Sequence, residues 1–381
     1  MLKPTNKNTS RNNIPCIPLD DCLAKTICLD GKKQKGVSVK THSLIAGYVA
    51  RELLNRLPLW LRKNLFPSGS ELVAAAHDVG KVSPAFQEKL YSDIGHSLNI
   101  IDPALDEKIG YHYTVSQATV YSFQKYIPEI LGRHHGISPN SVELPNSDGY
   151  GGKEWQKQRI DLLEFLKNDF KTDWPNISSE LQADVISGLT TVSDWISSGS
   201  LFDEVNEESW KNFICKAVDQ AGFVAPIVSN GLTFDKIFEF SPRNIQKKFM
   251  ESIKRRGIYI LEAPMGIGKT EAALYAAYQM LEKGNATGIY FALPTQLTSD
   301  KIYERMNSFL EKILDKSDSH RHSLLLHGSA WLRDTELGEE GAPGHSCFNS
   351  AKRGLLAPFA VGTIDTGLMS VMNVNHGVVR T

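Results

Sequence analysis

The run Ala263-Pro264-Met265-Gly266-Ile267-Gly268-Lys269-Thr270 admits few folds. It satisfies AxxGxGKT, a loop whose backbone N–H groups and following helix N-terminus must face the same phosphates. Such a loop needs a strand before it and a helix after it. Both flanks comply: Gly257–Ala263 is a short apolar run that predicts a strand, and Thr270–Ala277 predicts a strong helix. Lys269 is expected to reach the β and γ phosphates and Thr270 to hold Mg²⁺, so the ligands are ATP and Mg. Further strands are predicted at 289–294, 323–327 and 359–363, with helices at 271–283 and 296–314 between the early ones. That alternation predicts a parallel α/β sheet. Upstream, the amide of Gln246 is placed to read an adenine edge. The strand-end loops Leu293-Pro294-Thr295-Gln296 and Gly362-Thr363-Ile364-Asp365 are placed to meet a nucleic-acid backbone.

The chain before residue 230 has another character. Leu44, Ile45, Tyr48, Val49, Leu53 and Arg56 show helical spacing, and 71–79, 114–131, 156–168 and 179–198 read similarly. Period-2 runs are hard to find, so this part is predicted all-α; Gly31-Lys32-Lys33-Gln34-Lys35-Gly36 reads as a basic turn. Within it lie His42, His77, Asp78, His112, His134, His135 and Asp194, residues that can converge on one pair of metal ions. His77-Asp78 closes the alanine-rich run 72–76, which leaves room for close approach, and His134-His135 precedes Gly136 at a predicted helix end. His42 and His112 stand at helix starts. Asp194 sits among Val192, Trp195 and Ile196, where an unpaired buried charge costs several kcal/mol and metal ligation offsets it. Imidazole with carboxylate suits divalent transition metals, and a carboxylate can bridge two of them. Lys81, one turn from His77, is placed to contact a scissile phosphate or steady developing charge.

With 381 residues, 41% apolar and 22% charged, the chain can build two or three ordinary cores. Its net charge of -1 rules out wholesale electrostatic capture of nucleic acid, so any such surface is local. The five cysteines are scattered without a CxxC pair, which fits a reducing compartment and a cytoplasmic location. No apolar stretch is long enough for a membrane span, and no signal peptide is apparent. The expected division is a disordered N-terminus at 1–14, a helical metal domain at 15–220, a linker at 221–240 and an α/β lobe at 241–381.

These residues together resemble the N-terminal part of the CRISPR-associated helicase-nuclease of type I systems. In that family an HD nuclease domain precedes a helicase with two RecA-like lobes. Leu23-Ala24-Lys25-Thr26 is similar to the family's segment ahead of its first histidine. His42, His77-Asp78, His112, His134-His135 and Asp194 match its two-metal ligand positions. Gln246, Ala263–Thr270, Leu293-Pro294-Thr295 and Val361–Asp365 match its helicase motifs in order. The fold class expected is therefore an all-α HD-type domain followed by a partial RecA-like parallel α/β lobe. The family's DEAH box, second lobe and C-terminal domain find no counterpart, and Asp203-Glu204 precedes the phosphate loop. The lobe is thus expected to be incomplete at its C-terminus, with apolar surface exposed near Val371, Met372 and Val374 and ATP bound but hardly hydrolysed.

The leading expectation is a metal-dependent nuclease acting on single-stranded DNA with a CRISPR RNA-guided surveillance complex as partner. One ion is assigned to His42, His77, Asp78 and Asp194, the other to His112, His134 and His135, with Asp78 bridging and catalytic beside Lys81. The resemblance implies Mn, Co, Ni or Fe, and the histidine-rich set agrees. A separately encoded remainder of the helicase is a further candidate partner. Two rival readings are an HD phosphohydrolase of nucleotides and a non-catalytic remnant that binds nucleic acid or the surveillance complex. The attached helicase-like lobe weighs against the first, and the complete ligand set against the second.

Overall fold

The chain divides into two units, with the boundary in sequence between Gln220 and Ala221. A computed structural model describes residues 14–100, 111–136, 139, 141–203, 209–326 and 353–368. The N-terminus at 1–13, Asp-Glu at 203–204 beyond its first residue, and Val371, Met372 and Val374 lie outside the described residues.

The first unit opens with a hairpin, β1 (Thr26–Leu29) and β2 (Lys32–Lys35), paired antiparallel from Thr26↔Lys35 to Leu29↔Lys32. The hairpin is an addition to a unit that is otherwise helical, as expected. The Asp30-Gly31 turn has φ +49° and +74°, the left-handed pair that joins strands in two residues. The lysine-rich second strand is exposed throughout and carries no alternation, so only the Asp-Gly pair announced it. Nine helices among the described residues follow: α1 (Val39–Arg56), α2 (Leu59–Leu65), α3 (Ser70–Ala76), α4 (Pro84–Asp93), α5 (His112–Thr119), α6 (Ile127–Gly132), α7 (Gly152–Phe170), α8 (Glu180–Ser197) and α9 (Ile214–Gln220). The single helix expected over 114–131 is two, because Tyr126 turns left-handed (φ +77°) and Pro128 starts a new helix.

Helix α3 is the centre of this unit. Leu72 to Ala76 are buried completely, and α3 packs on α1, α7 and α8. Three consecutive alanines allow neighbouring backbones to come close without voids. Gly47 on α1 completes this contact: a β-carbon there would lie 2.3 Å from Phe170 Cζ and 2.7 Å from Ala75 Cβ. Around it Trp155, Leu162, Leu166, Ile130, Leu131 and Ile186 form one apolar core.

The second unit holds a parallel sheet in the order β3 (Ile289–Leu293), β5 (Phe359–Thr363), β4 (Leu324–Leu326). Its helices are α10 (Phe234–Phe238), α11 (Asn244–Ser252), α12 (Lys269–Glu282), α13 (Gln296–Ile313) and α14 (Ile364–Leu368). Leu274, Tyr278, Leu281, Met306, Leu310, Phe359 and Val361 make its core. Residues 221–240, expected as a linker, are built into this unit. Ser229 N–H donates to Ile313 O at 2.7 Å, Leu232 N–H to Tyr278 Oη at 2.9 Å, and Phe234 and Ile237 are buried. The apolar run at 258–263 is not a strand among the described residues. Ile258 and Ile260 are 93% and 83% exposed, because an apolar run becomes a strand only where a second backbone pairs with it.

The tight α1–α3 contact predicts that Gly47→Ala overpacks the first unit and destabilises it by about 1–3 kcal/mol. The check is its melting transition by circular dichroism; an unchanged transition would mean that Phe170 swings aside at no cost.

Candidate metal centre

Five helical elements aim side chains at one buried point. His42 comes from the first turn of α1, His77 and Asp78 from the end of α3, His112 from the first residue of α5, His134 and His135 from the turn after α6, and Asp194 from α8. His42, His77, Asp78 and Asp194 are all buried, and their ligand atoms lie within 4.8 Å of one another. His112, His134 and His135 form a second group that meets the same limit. Asp78 joins them. Its Oδ2 lies 3.1 Å from the Nε2 atoms of both His42 and His77, while its Oδ1 lies 3.2 Å from His112 Nε2 and 3.5 Å from His134 Nε2. Asp194 Oδ1 is 3.3 Å from His77 Nε2 and 3.8 Å from His42 Nε2.

The tautomers are set from behind. His77 Nδ1 donates to Ala74 O and His134 Nδ1 to Leu131 O, each at 2.7 Å. A carbonyl only accepts, so each Nδ1 carries a proton and each Nε2 is the nitrogen turned to the centre. A lone pair there repels a carboxylate oxygen unless a proton or a metal cation stands between them. His77 Nε2, His134 Nε2, both ring nitrogens of His42 and Asp78 Oδ1 are buried without a hydrogen-bond partner. His112 Nε2 and His135 Nε2 face each other at 2.9 Å. These orphaned donors fit divalent transition ions, which take nitrogen and oxygen ligands together.

Polar groups absent from the sequence reading hold the segment that carries Asp78. Ser116 Oγ donates to His77 O at 2.8 Å and accepts from Gly80 N–H at 2.9 Å. Gln87 Nε2 donates to Lys81 O at 2.8 Å and to Leu23 O at 2.9 Å. Arg159, wholly buried, donates to Val82 O, Tyr150 O and Pro145 O. Thr191 Oγ1 donates to His134 O at 3.2 Å. Gly80 lets α5 close on this segment, since a β-carbon there would lie 1.9 Å from His112 O. Ser116, Gln87 and Arg159 look like solvent-facing polar residues in sequence, and no motif marks them.

Charge in the pocket is self-compensating. Burial opposes a charged His77, but the Asp78 and Asp194 carboxylates beside it overcome that and push it up to about 10. Burial likewise opposes charge on Asp78, and His77 and Lys81 hold its carboxyl well below the usual range. Asp194 is also held low, chiefly by His77. Burial pulls His42 and His112 down, and it takes His135 down to about 4 with help from His134. Lys81 Nζ sits 2.6 Å from Asp78 Oδ2 and over the Phe86 ring.

The phosphate loop is in the second unit. Gly266 and Gly268 have φ of +74° and +85°, and α12 starts at Lys269. Ala263–Thr270 thus form a loop on a helix N-terminus. Lys269 Nζ folds back on the loop, donating to Ala263 O at 2.6 Å and Pro264 O at 3.1 Å. Gln246 departs from expectation. It is 1% exposed, its Oε1 accepts from Arg243 N–H at 2.8 Å, and its Nε2 donates to Gly268 O at 2.9 Å. Its amide caps α11 and ties that helix to the loop, so both ends are engaged in place of an adenine edge. Thr295 caps α13 two residues after β3 ends, Thr363 ends the parallel strand β5, and each hydroxyl accepts from an N–H of the helix that follows.

A helical domain with a buried histidine–aspartate cluster, followed by a phosphate-loop sheet, defines an HD-type metal domain joined to a RecA-like nucleotide lobe. The family described as Cas3, HD domain, matches residues 28–202, and the family described as DEAD/DEAH box helicase matches residues 243–330. The CRISPR-associated nuclease/helicase Cas3 of Streptococcus thermophilus is 30% identical over 82% of this chain and 40% of its own length. The CRISPR-associated endonuclease/helicase Cas3 of Thermus thermophilus is 28% identical over 80% of this chain and 38% of its own. The crystal structure of T. fusca Cas3 matches with a TM-score of 0.75 at 25% identity, over 96% of this chain and 45% of that one. The chain is a Cas3-like protein, and it spans less than half the length of these relatives.

Because His77 binds a proton in the metal-free pocket, a metal ion must displace it. Between about pH 6 and 9, binding should release at least one proton, and apparent affinity should rise roughly tenfold per pH unit. Calorimetric titration with Mn²⁺ in two buffers of different ionisation enthalpy measures this; pH-independent affinity would contradict it.

Proposed function

We propose that this chain is a metal-dependent nuclease that cuts single-stranded DNA in CRISPR interference, with an ATP-binding lobe attached. The observation that carries the reading is Asp78, whose two carboxylate oxygens face two separate ligand groups. We assign one ion to His42, His77, Asp78 and Asp194 and a second to His112, His134 and His135, bridged by Asp78. The printed names of the Cas3 relatives supply the nuclease and the CRISPR context.

Such a pair of ions supplies Lewis acidity toward a phosphodiester and makes water a nucleophile near neutral pH. The chain's own residues do the remainder. The carbonyl-anchored His77 and His134 keep their Nε2 lone pairs aimed inward, so no reorganisation is needed when phosphate arrives. Lys81 Nζ, 2.6 Å from Asp78 Oδ2, is the cation that would meet a phosphate oxygen brought to that carboxylate. In the second unit, Lys269, now bonded to Ala263 O and Pro264 O, would hold ATP phosphates, and Thr270 would hold Mg²⁺. Among the described residues no helix is long and apolar enough to cross a membrane. The scattered free cysteines favour a cytoplasmic setting, with a CRISPR RNA-guided surveillance complex as the partner that delivers the strand.

Asp78→Ala should abolish Mn²⁺-dependent cleavage of circular single-stranded DNA, since it removes a ligand from both groups, while the circular dichroism spectrum persists. Substantial cleavage by that variant would sink the two-ion reading. The wild-type chain should cut without ATP, and Lys269→Ala should lose ATP binding while cutting normally, because the residues of the two sites belong to different units. A strict requirement for ATP would overturn that separation.

A further inference from the structure

Tyr111 and Tyr113 flank the ligand His112 and are given no role by the metal or nucleotide sites. Their rings stack on each other, with centroids 5.3 Å apart and planes 18° from parallel. The inner ring, Tyr113, meets two ligand rings edge-on: His112 at 5.9 Å and 76°, and His135 at 6.1 Å and 75°. Tyr111, the outer ring, is 57% exposed. The two tyrosines therefore make a column that starts on the proposed metal ligands and ends on a residue more than half exposed to water. Packing of the histidines accounts for Tyr113, but it leaves Tyr111 unexplained. Tyr111 is the N-cap residue of α5, so its backbone is fixed by the helix that delivers His112.

We propose that Tyr111, supported by Tyr113, is the platform on which an unpaired nucleobase stacks to bring its strand to the metal centre. This deepens the nuclease reading above and rests on it. A base in single-stranded DNA can lay a whole π-face on Tyr111, whereas the faces of bases in a duplex are already covered by their neighbours. The column thus favours unpaired strands through geometry, without reading sequence, since every base has such a face. It also suits a chain with a net charge of -1, which cannot rely on bulk electrostatic attraction to hold a strand. Lys81, with its ammonium over the Phe86 ring and that ring 5.3 Å from His112, supplies a cation beside the same ligand for the backbone.

The test is binding by the full chain in EDTA, so that no strand is cut, followed by the anisotropy of a labelled oligothymidylate. A matching oligomer of abasic residues and a duplex are run beside it. Tyr111→Ala should weaken oligothymidylate binding about 5- to 100-fold, the range that losing one base–aromatic stack produces. Tyr111→Trp should restore it, and the abasic oligomer should bind wild type and Tyr111→Ala alike. Equal weakening for abasic and natural strands, an unaltered affinity in Tyr111→Ala, or no oligothymidylate binding by wild type would each overturn the proposal. Mn²⁺-dependent cutting of the same oligomer by wild type is scored separately and bears on the nuclease reading alone.

Discussion

The buried carboxylate of Asp78 is the constraint around which the first unit is arranged. An ionised carboxylate taken out of water costs several kcal/mol unless opposite charge and hydrogen-bond donors surround it. Here imidazoles converge on it from four segments of the chain, and Lys81 closes the remaining side. The turn after α3 that carries Asp78 is held by specific contacts from three helices: α5 through Ser116, α4 through Gln87 and α7 through Arg159. The alanines of α3 and the hydrogen at Gly80 give these elements the room to approach. Packing and electrostatics therefore solve one problem together, since the same close approach that fills the core brings the histidines within reach of Asp78.

The convergence of these side chains was legible in the sequence because each is a chemically distinctive residue placed at a helix end or inside an apolar stretch. His77-Asp78 after alanines and Asp194 between Val192 and Trp195 are improbable as solvent-facing choices. What escaped was whatever depends on a distant partner. Arg159 reads as one more cation on an amphipathic helix, yet its partners are carbonyls of residues 82, 145 and 150. The hairpin at 26–35 escaped because its second strand is polar on both faces, leaving only Asp30-Gly31 as a sign. The break within 114–131 escaped because Pro128 sits at the first turn of the second helix, where proline is tolerated, and the deciding event is the left-handed Tyr126.

The second unit shows the same limit from the opposite side. The phosphate-loop pattern fixed the turn and α12 correctly, because glycine at positive φ and a helix N-terminus are local requirements. The run at 258–263 met every local requirement of a strand and is not one among the described residues. Half of its side chains, Tyr259, Leu261 and Ala263, are partly covered, whereas Ile258 and Ile260 are open to water. Alternation of exposure therefore survives in this segment although it has no ladder among the described residues. Side-chain period is a property of the segment, but strand pairing is a property of two.

The two units also differ in how they stand ready for a ligand. In the histidine–aspartate pocket the Nε2 atoms of His77 and His134 are turned inward by the carbonyls behind their Nδ1 atoms, and a proton on His77 balances the carboxylates beside it. Exchanging that proton for an ion, as the proposed function requires, would change charge with little movement of the rings. In the phosphate loop, Lys269 is bound to the carbonyls of Ala263 and Pro264, and Gln246 holds Gly268 O. A phosphate there would take the lysine from neutral partners, for which it offers the stronger charge-assisted bond. On the proposed function, the first site would gain an ion by substitution and the second a phosphate by rearrangement. The loop, with Met265 almost wholly exposed and no ladder behind it among the described residues, has the freedom to rearrange that the helix-walled histidine–aspartate pocket lacks.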